Sequence, residues 1–302
     1  LSIRYSHPKW LVKRLQAILG PETEACLAAD NAPAPLTIQV NPLKAAAEEL
    51  TAELEASGVI VRPHPWVSGC LELDHVGDLT ALEPFRMGKF LVQDPAARLV
   101  SQIAGVRPGM RVLDVCAAPG GKSFAAAIQM ENQGEVISCD LHPHKKKLIQ
   151  AGADRLGLSI IKPMTADGKV RREEWVSAFD LVLVDAPCSG LGVIRKKPDI
   201  RYKDPEPLAA LPSVQRRILE NVSSYVRPGG TLLYSTCTLL RRENENVVSA
   251  FLEAHPQFGP EPFQLPGVPG TEGSGWMLTL WPHIQGTDGF FISRMKKREE
   301  AL

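Results

Sequence analysis

Residues 112–123 read Val112-Leu113-Asp114-Val115-Cys116-Ala117-Ala118-Pro119-Gly120-Gly121-Lys122-Ser123. An apolar strand runs into a turn of small residues, and the turn opens a helix. Such a turn lets backbone N–H groups and the helix N-terminus come close to a ligand. A dinucleotide fingerprint needs G-x-G-x-x-G, which is absent here. A P-loop needs Gly five residues before Gly121-Lys122-Ser123, where this chain has Cys116. Leu181-Val182-Leu183-Val184-Asp185 still mimics the strand and aspartate of an NTPase, which keeps that reading as a rival.

Outward from this stretch, strands and helices alternate from about Gln93 to the C-terminus. Strands are expected at 111–115, 135–139, 159–161, 180–184 and 231–235, with helices near 121–131, 143–156 and 206–226. Arg227-Pro228-Gly229-Gly230 reads as a tight turn, and the Pro- and Gly-rich residues 255–275 as a long irregular loop. This alternation requires an α/β fold, a doubly wound Rossmann-like sheet. Upstream the pattern differs. Residues 7–30 read as one or two helices, Leu36 to Asn41 alternates as a strand, and Ala45 to Ala56 as a helix. Short strands follow at 59–61, 70–73 and 89–92. The expected organisation is a helical lead-in and small α+β unit over 1–92, and the doubly wound domain over 93–302.

With 302 residues and 44% hydrophobic content, the chain has material for a large core. No run approaches the ~18 apolar residues of a membrane span, and the first residues carry no apolar leader, so a cytoplasmic protein without a membrane partner is expected. The closest cysteines, Cys116 and Cys139, stand 23 residues apart, so no C-x-x-C pair exists and no metal is expected. Any special cysteine should be a lone thiol. Lys and Arg total 34, as do Asp and Glu, yet the positive charge is clustered. The cluster Arg195-Lys196-Lys197 with Arg201 and Lys203 is the candidate for phosphate contacts.

The chemistry lies at the strand ends. Asp140 follows the glycines by about 20 residues, where a carboxylate can accept both hydroxyls of a ribose. Asp167 follows the third strand and can accept from an adenine amino group; Asp185 follows the fourth. Three acids at one sheet edge favour S-adenosylmethionine as the cofactor. Two thiols share that edge, Cys188 in Asp185-Ala186-Pro187-Cys188-Ser189-Gly190 and Cys237 in Ser235-Thr236-Cys237. C5 of cytosine is too weak a nucleophile to attack a sulfonium methyl unaided. A thiolate added at C6 makes C5 enamine-like, an acid beside N3 eases the addition, and a second proton transfer releases the product. Asp185, three residues from Cys188, fits the acid.

Cys116 to Lys122, Asp185 to Gly190, Ser235 to Cys237 followed by Glu243-Asn244-Glu245, and the closing Gly286-Thr287-Asp288-Gly289-Phe290-Phe291 together resemble the Sun family of RNA cytosine-C5 methyltransferases. The match covers most of 36–295. The resemblance implies a methyltransferase sheet behind an RRM-like N-terminal domain, with Cys237 as nucleophile, Cys188 as the thiol that helps release product, and Asp185 on the cytosine. It places cofactor contacts on Cys116, Ala117, Ala118, Pro119, Gly120, Gly121, Lys122, Asp140, Asp167 and Asp185. DNA cytosine methyltransferases use the Pro-Cys thiol as nucleophile, so Thr236-Cys237 points to RNA.

The implied partner is ribosomal RNA, with transfer RNA as the alternative, and the implied state is a monomer. A non-catalytic ribosome-assembly factor would show a broken motif, and none is seen. Gln39 stands where the family usually has Arg, Ala where Ser is common in Asp94-Pro95-Ala96-Ala97, and Arg241-Arg242 replaces Pro-Glu. The family's N-terminal helical RNA-binding domain is absent, so a fragment or a shortened member is expected.

Overall fold

The computed structural model describes residues 1–273 and 275–299. Its strands are β1 (Leu36–Val40), β2 (Ile60–Pro63), β3 (Cys70–Asp74), β4 (Phe90–Val92), β5 (Arg111–Asp114), β6 (Glu135–Asp140), β7 (Ile161–Thr165), β8 (Phe179–Asp185), β9 (Val226–Thr236), β10 (Phe258–Pro260), β11 (Met277–Leu280) and β12 (Phe290–Lys297).

The first four strands form an antiparallel sheet in the order β2-β3-β1-β4. The helix Ala47–Ala56 covers it. Glu48 and Glu49 in its first turn suit the positive end of the helix dipole, and Leu50 and Leu54, four residues apart, pack in one cluster with Ile38, Leu71 and Phe90.

The second sheet runs β10-β12-β9-β8-β5-β6-β7, with β11 on β12. The strands from β7 to β9 are parallel, and β12 is antiparallel to β9. Leu181 to Val184 of β8 are at most 1% exposed. A strand apolar on both faces belongs inside a parallel sheet covered by helices. From β5 the chain winds out to β6 and β7, then returns to β8 on the other side. Ligands bind beyond the carboxyl ends of strands at such a reversal, here between β5 and β8.

The small unit is docked firmly. Asn41 Nδ2 donates to Gly88 O (3.0 Å) and Leu156 O (3.1 Å), and Arg155 Nη1 donates to Phe85 O (2.7 Å) and Phe90 O (3.0 Å). At Gly88, with φ +71°, a Cβ would meet Arg155 O at 2.0 Å, so only glycine permits this approach.

The α/β architecture is as expected; several details differ. Residues 7–30 form two helices, Lys9–Leu19 and Thr23–Ala29, separated by a 3-10 turn at Gly20–Glu22. The helix expected near 206–226 divides into Pro205–Leu208 and Leu211–Ser223. The strand expected at 159–161 runs from Ile161 to Thr165, because left-handed Gly157 ends the preceding helix and residues 158–160 are spent on the turn back. Arg227 to Gly230 lie inside β9, where Phe179 pairs with Val226 but Leu181 with Thr231, so they form an irregularity in the ladder instead of its boundary. The stretch 255–275 contains β10. Among the described residues no helix is long and apolar enough to cross a membrane.

Candidate active site

Asp185 is the last residue of β8, and two neighbours fix its carboxylate. Lys122 Nζ, from the first turn of the helix Gly121–Gln129, donates to Oδ2 (2.6 Å), and Ser235 Oγ, near the end of β9, donates to Oδ1 (2.9 Å). Burial pulls the Lys122 pKa down, but Asp185 outweighs it and holds the ammonium above its ordinary value. The same ammonium lies 5.0 Å from the Phe290 ring centroid.

Cys188 follows β8 by a short turn and Cys237 follows β9 directly. Their Sγ atoms are 3.4 Å apart. Burial pushes Cys70 and Cys139 up to about 12 and raises Cys26 and Cys116 as well. Cys188 is raised well above the ordinary range by its hydrogen bond with Cys237, with burial adding to the effect. Cys237 alone is lowered: the hydrogen bond with Cys188 favours its thiolate against burial and Asp185, and Lys122 adds to this. Of the two sulfurs, Cys188 therefore keeps its proton more firmly and Cys237 gives its proton up more readily.

Beside these groups a cavity of about 390 Å³ opens past the ends of β5, β6 and β8. Of the residues expected at a cofactor, Cys116, Ala118, Asp140, Asp167 and Asp185 line it. Ala117, Pro119, Gly120, Gly121 and Lys122 shape the turn behind it. Asp140 Oδ1 accepts the His142 N–H (3.0 Å) and Asp167 Oδ1 the Lys169 N–H (2.9 Å), while Lys145 and Lys169 ammoniums stand 3.7 and 3.6 Å from the second oxygens. Val115, Pro187, Val214 and Ile218 supply apolar walls. At Gly168 a Cβ would come within 2.7 Å of Val115 Cγ1. Carboxylates at the mouth of an apolar slot of this size match a nucleoside with a ribose and an amino-substituted base. Beneath the turn, the fully buried Asp114 accepts from Ser123 Oγ (2.7 Å), which accepts from Ser138 Oγ (2.7 Å); burial pushes its carboxyl up to about 7.

A family model described as 16S rRNA methyltransferase RsmB/F matches residues 102–296, and a ferredoxin-like domain of RsmF/B-like methyltransferases matches 7–80. The chain is 41% identical to the probable ribosomal RNA small subunit methyltransferase B of Bacillus subtilis, over 99% of this chain and 68% of the relative. It is 36% identical to the Synechocystis protein of the same name, over 98% and 68%. The crystal structure of PH0851 superposes with a TM-score of 0.93 at 34% identity, covering 98% of this chain and 67% of that one. The chain belongs to the RsmB/F methyltransferase family. As a member it is an RNA methyltransferase with a Rossmann-like catalytic sheet.

The basic loop of this family member divides: Arg195 and Arg201 are tucked in, while Lys196, Lys197 and Lys203 are exposed. The Arg195 side chain is 6% exposed; its Nη1 donates to Gly286 O (2.7 Å) and its Nε to Asp288 Oδ1 (3.4 Å). Lys196 Nζ bridges Asp94 (2.5 Å) and Asp288 (2.9 Å). Arg201 is buried, donating to Asn31 Oδ1 (2.7 Å) and the carbonyls of Tyr5 and Ser6. Lys203 Nζ donates to Ser189 O (3.0 Å). Lys197 is exposed, as are Lys196 and Lys203, and differs from them in having no acceptor named above. A cation already committed to a buried acceptor is a poor phosphate ligand. The sequence reading also missed Ser235 and Asp114. Ser235 shares the Ser-Thr-Cys motif, and Asp114 shows itself as an acid where a central strand should be apolar.

Proposed function

We propose that this chain transfers a methyl group from S-adenosylmethionine to C5 of a cytosine in 16S ribosomal RNA through a covalent bond between Cys237 Sγ and C6, in the cytoplasm. The observation that carries this reading is the thiol pair at 3.4 Å, with Cys237 the lowered partner, next to Asp185. In this reading residues 1–92 help to hold the RNA and residues 93–302 carry the chemistry.

When bound, S-adenosylmethionine supplies an electrophilic methyl group. Asp140 would accept from the ribose hydroxyls and Asp167 from the adenine amino group, and the turn from Cys116 to Lys122 would pack against the remainder. The Cys237 thiolate adds to C6, and the electrons of the C5–C6 double bond become available at C5. N3 takes up a proton from solvent relayed by Asp185, whose carboxylate Lys122 holds in place at 2.6 Å. As C5 takes the methyl, the pair of the S–CH3 bond would stay on the cofactor sulfur; the C5 proton then leaves to solvent, the C5–H pair restores the double bond, and the C6–Sγ pair returns to Cys237. The Cys188 S–H receives that thiolate, while N3 gives its proton back.

The test uses 16S RNA and methyl-labelled S-adenosylmethionine, with bisulfite sequencing to locate the product. Cys237→Ala should give neither transfer nor adduct, and Cys188→Ala should give a methylated protein–RNA species that survives a denaturing gel. An adduct formed by Cys237→Ala and lost in Cys188→Ala would reverse the roles.

A further inference from the structure

Glu243 and Asn244 lie six and seven residues beyond Cys237, and neither has a part in the chemistry above. Glu243 is 0% exposed and Asn244 1%. Glu243 Oε2 accepts the Ser189 N–H (2.9 Å), the residue next to Cys188, and Gln215 Nε2 (3.1 Å); Gln215 Nε2 also donates to Pro187 O (3.0 Å), on the other side of the thiol. Glu243 Oε1 is buried without a hydrogen-bond partner, and the two groups that donate to Oε2 are both neutral. Asn244 works on the other turn. Its Oδ1 accepts from Thr236 Oγ1 (2.6 Å) and its Nδ2 donates to Thr238 O (2.9 Å), the two neighbours of Cys237.

Burying a carboxylate against neutral donors alone is costly, and a core seeking stability would place a neutral or apolar side chain there. Reacting groups, in contrast, must be held to within about 0.5 Å, and a displacement of 1 Å costs roughly 100-fold in rate. We infer that Glu243 and Asn244 are positioning residues with separate duties: Glu243 holds the Cys188 turn and so governs release of the adduct, and Asn244 holds the Cys237 turn and so governs its formation. The inference rests on the covalent mechanism proposed above. The turns also touch each other, Ser189 Oγ lying 2.7 Å from Thr238 Oγ1, so each clamp fixes one side of a shared frame.

The experiment follows adduct and methylated product over time with the full chain, 16S RNA and S-adenosylmethionine, alongside thermal unfolding and cofactor binding. Glu243→Ala should retain cofactor binding and accumulate adduct at least ~10-fold above the unmodified enzyme. Glu243→Asp, which keeps the charge but withdraws the oxygen from Ser189, should do the same and serves if the alanine variant unfolds. Glu243→Gln keeps an oxygen in place and should release product normally. Asn244→Ala should form adduct about 10- to 100-fold more slowly and accumulate none. Folded Glu243→Ala or Glu243→Asp with ordinary adduct levels, a Glu243→Gln variant that traps adduct, or trapping by Asn244→Ala would each overturn the inference. Cys188→Ala is run in parallel: if it fails to trap adduct, the covalent mechanism itself is what has failed.

Discussion

Cys188 Sγ lies 3.4 Å from Cys237 Sγ, which is wider than the S–S bond of about 2.05 Å and within reach of a thiol-to-thiolate hydrogen bond. The proton therefore has two possible homes, and the surroundings favour Cys188. Iodoacetamide at neutral pH should modify Cys237 ahead of the other five thiols, as read by peptide mass spectrometry. Because the Cys188 hydrogen bond is the largest influence lowering Cys237, Cys188→Ala should move the labelling profile of Cys237 to higher pH. Faster labelling of Cys188 would place the proton on the wrong sulfur.

Asp140 lines the cavity with one oxygen on the His142 N–H and the other near Lys145. In the cofactor placement proposed above, replacing it by alanine would leave two ribose hydroxyls without a charged acceptor, a loss of roughly 1.5–3 kcal/mol of binding. Calorimetry should show S-adenosylmethionine affinity falling by one to two orders of magnitude in Asp140→Ala, and an unchanged affinity would remove Asp140 from the cofactor site.

Asp114 gives stability a pH dependence whose sign follows from its shift. Its carboxyl is raised from 3.8 to about 7 by burial, so the folded state holds a proton that the unfolded chain gives up earlier. The associated stability is fully present below about pH 4 and is lost as pH rises through about 7, an amount on the order of 4 kcal/mol. Asp114→Asn keeps an oxygen for Ser123 and cannot ionise. Thermal unfolding at pH 5 and pH 8 should differ less in Asp114→Asn than in the unmodified protein, and an equal difference would show that Asp114 is not the titrating group.

Much of this layout can be read locally. Asp185 ends an apolar run, because a strand buried on both faces leaves its first charged residue at the sheet edge, and Asp140 and Cys237 mark the ends of their strands in the same way despite the small buried hydroxyls just before them. The small sheet is legible for a similar reason, since Leu50 and Leu54 carry the helical spacing. What stays hidden depends on distant partners or on short elements. β10 has three residues inside a Pro- and Gly-rich stretch, too few for any periodicity. The fate of Arg195 is decided by Asp288, 93 positions away, and that of Lys196 by Asp94, 102 positions away. No local pattern distinguishes such cations from solvated ones.

Arg201 and Lys197 therefore predict opposite outcomes within one cluster. Arg201 is 5% exposed and satisfies Asn31 Oδ1 with the carbonyls of Tyr5 and Ser6, tying the 198–202 turn to the N-terminal segment 170 residues and more away in sequence. Arg201→Ala removes several hydrogen bonds to half-buried and exposed acceptors together with the packing of a buried side chain, and should cost about 1–2 kcal/mol of folding stability, with RNA affinity unchanged once the folded fraction is counted. Lys197 is exposed, so Lys197→Ala should leave unfolding within about 0.5 kcal/mol. If a phosphate passes that side of the loop, the same change removes one charge contact and flattens the dependence of log affinity on log salt by about 0.7–0.9. Filter binding over a salt series, combined with urea unfolding of both variants, separates the two roles. A salt slope altered by Arg201→Ala and untouched by Lys197→Ala would return the buried arginine to the RNA surface.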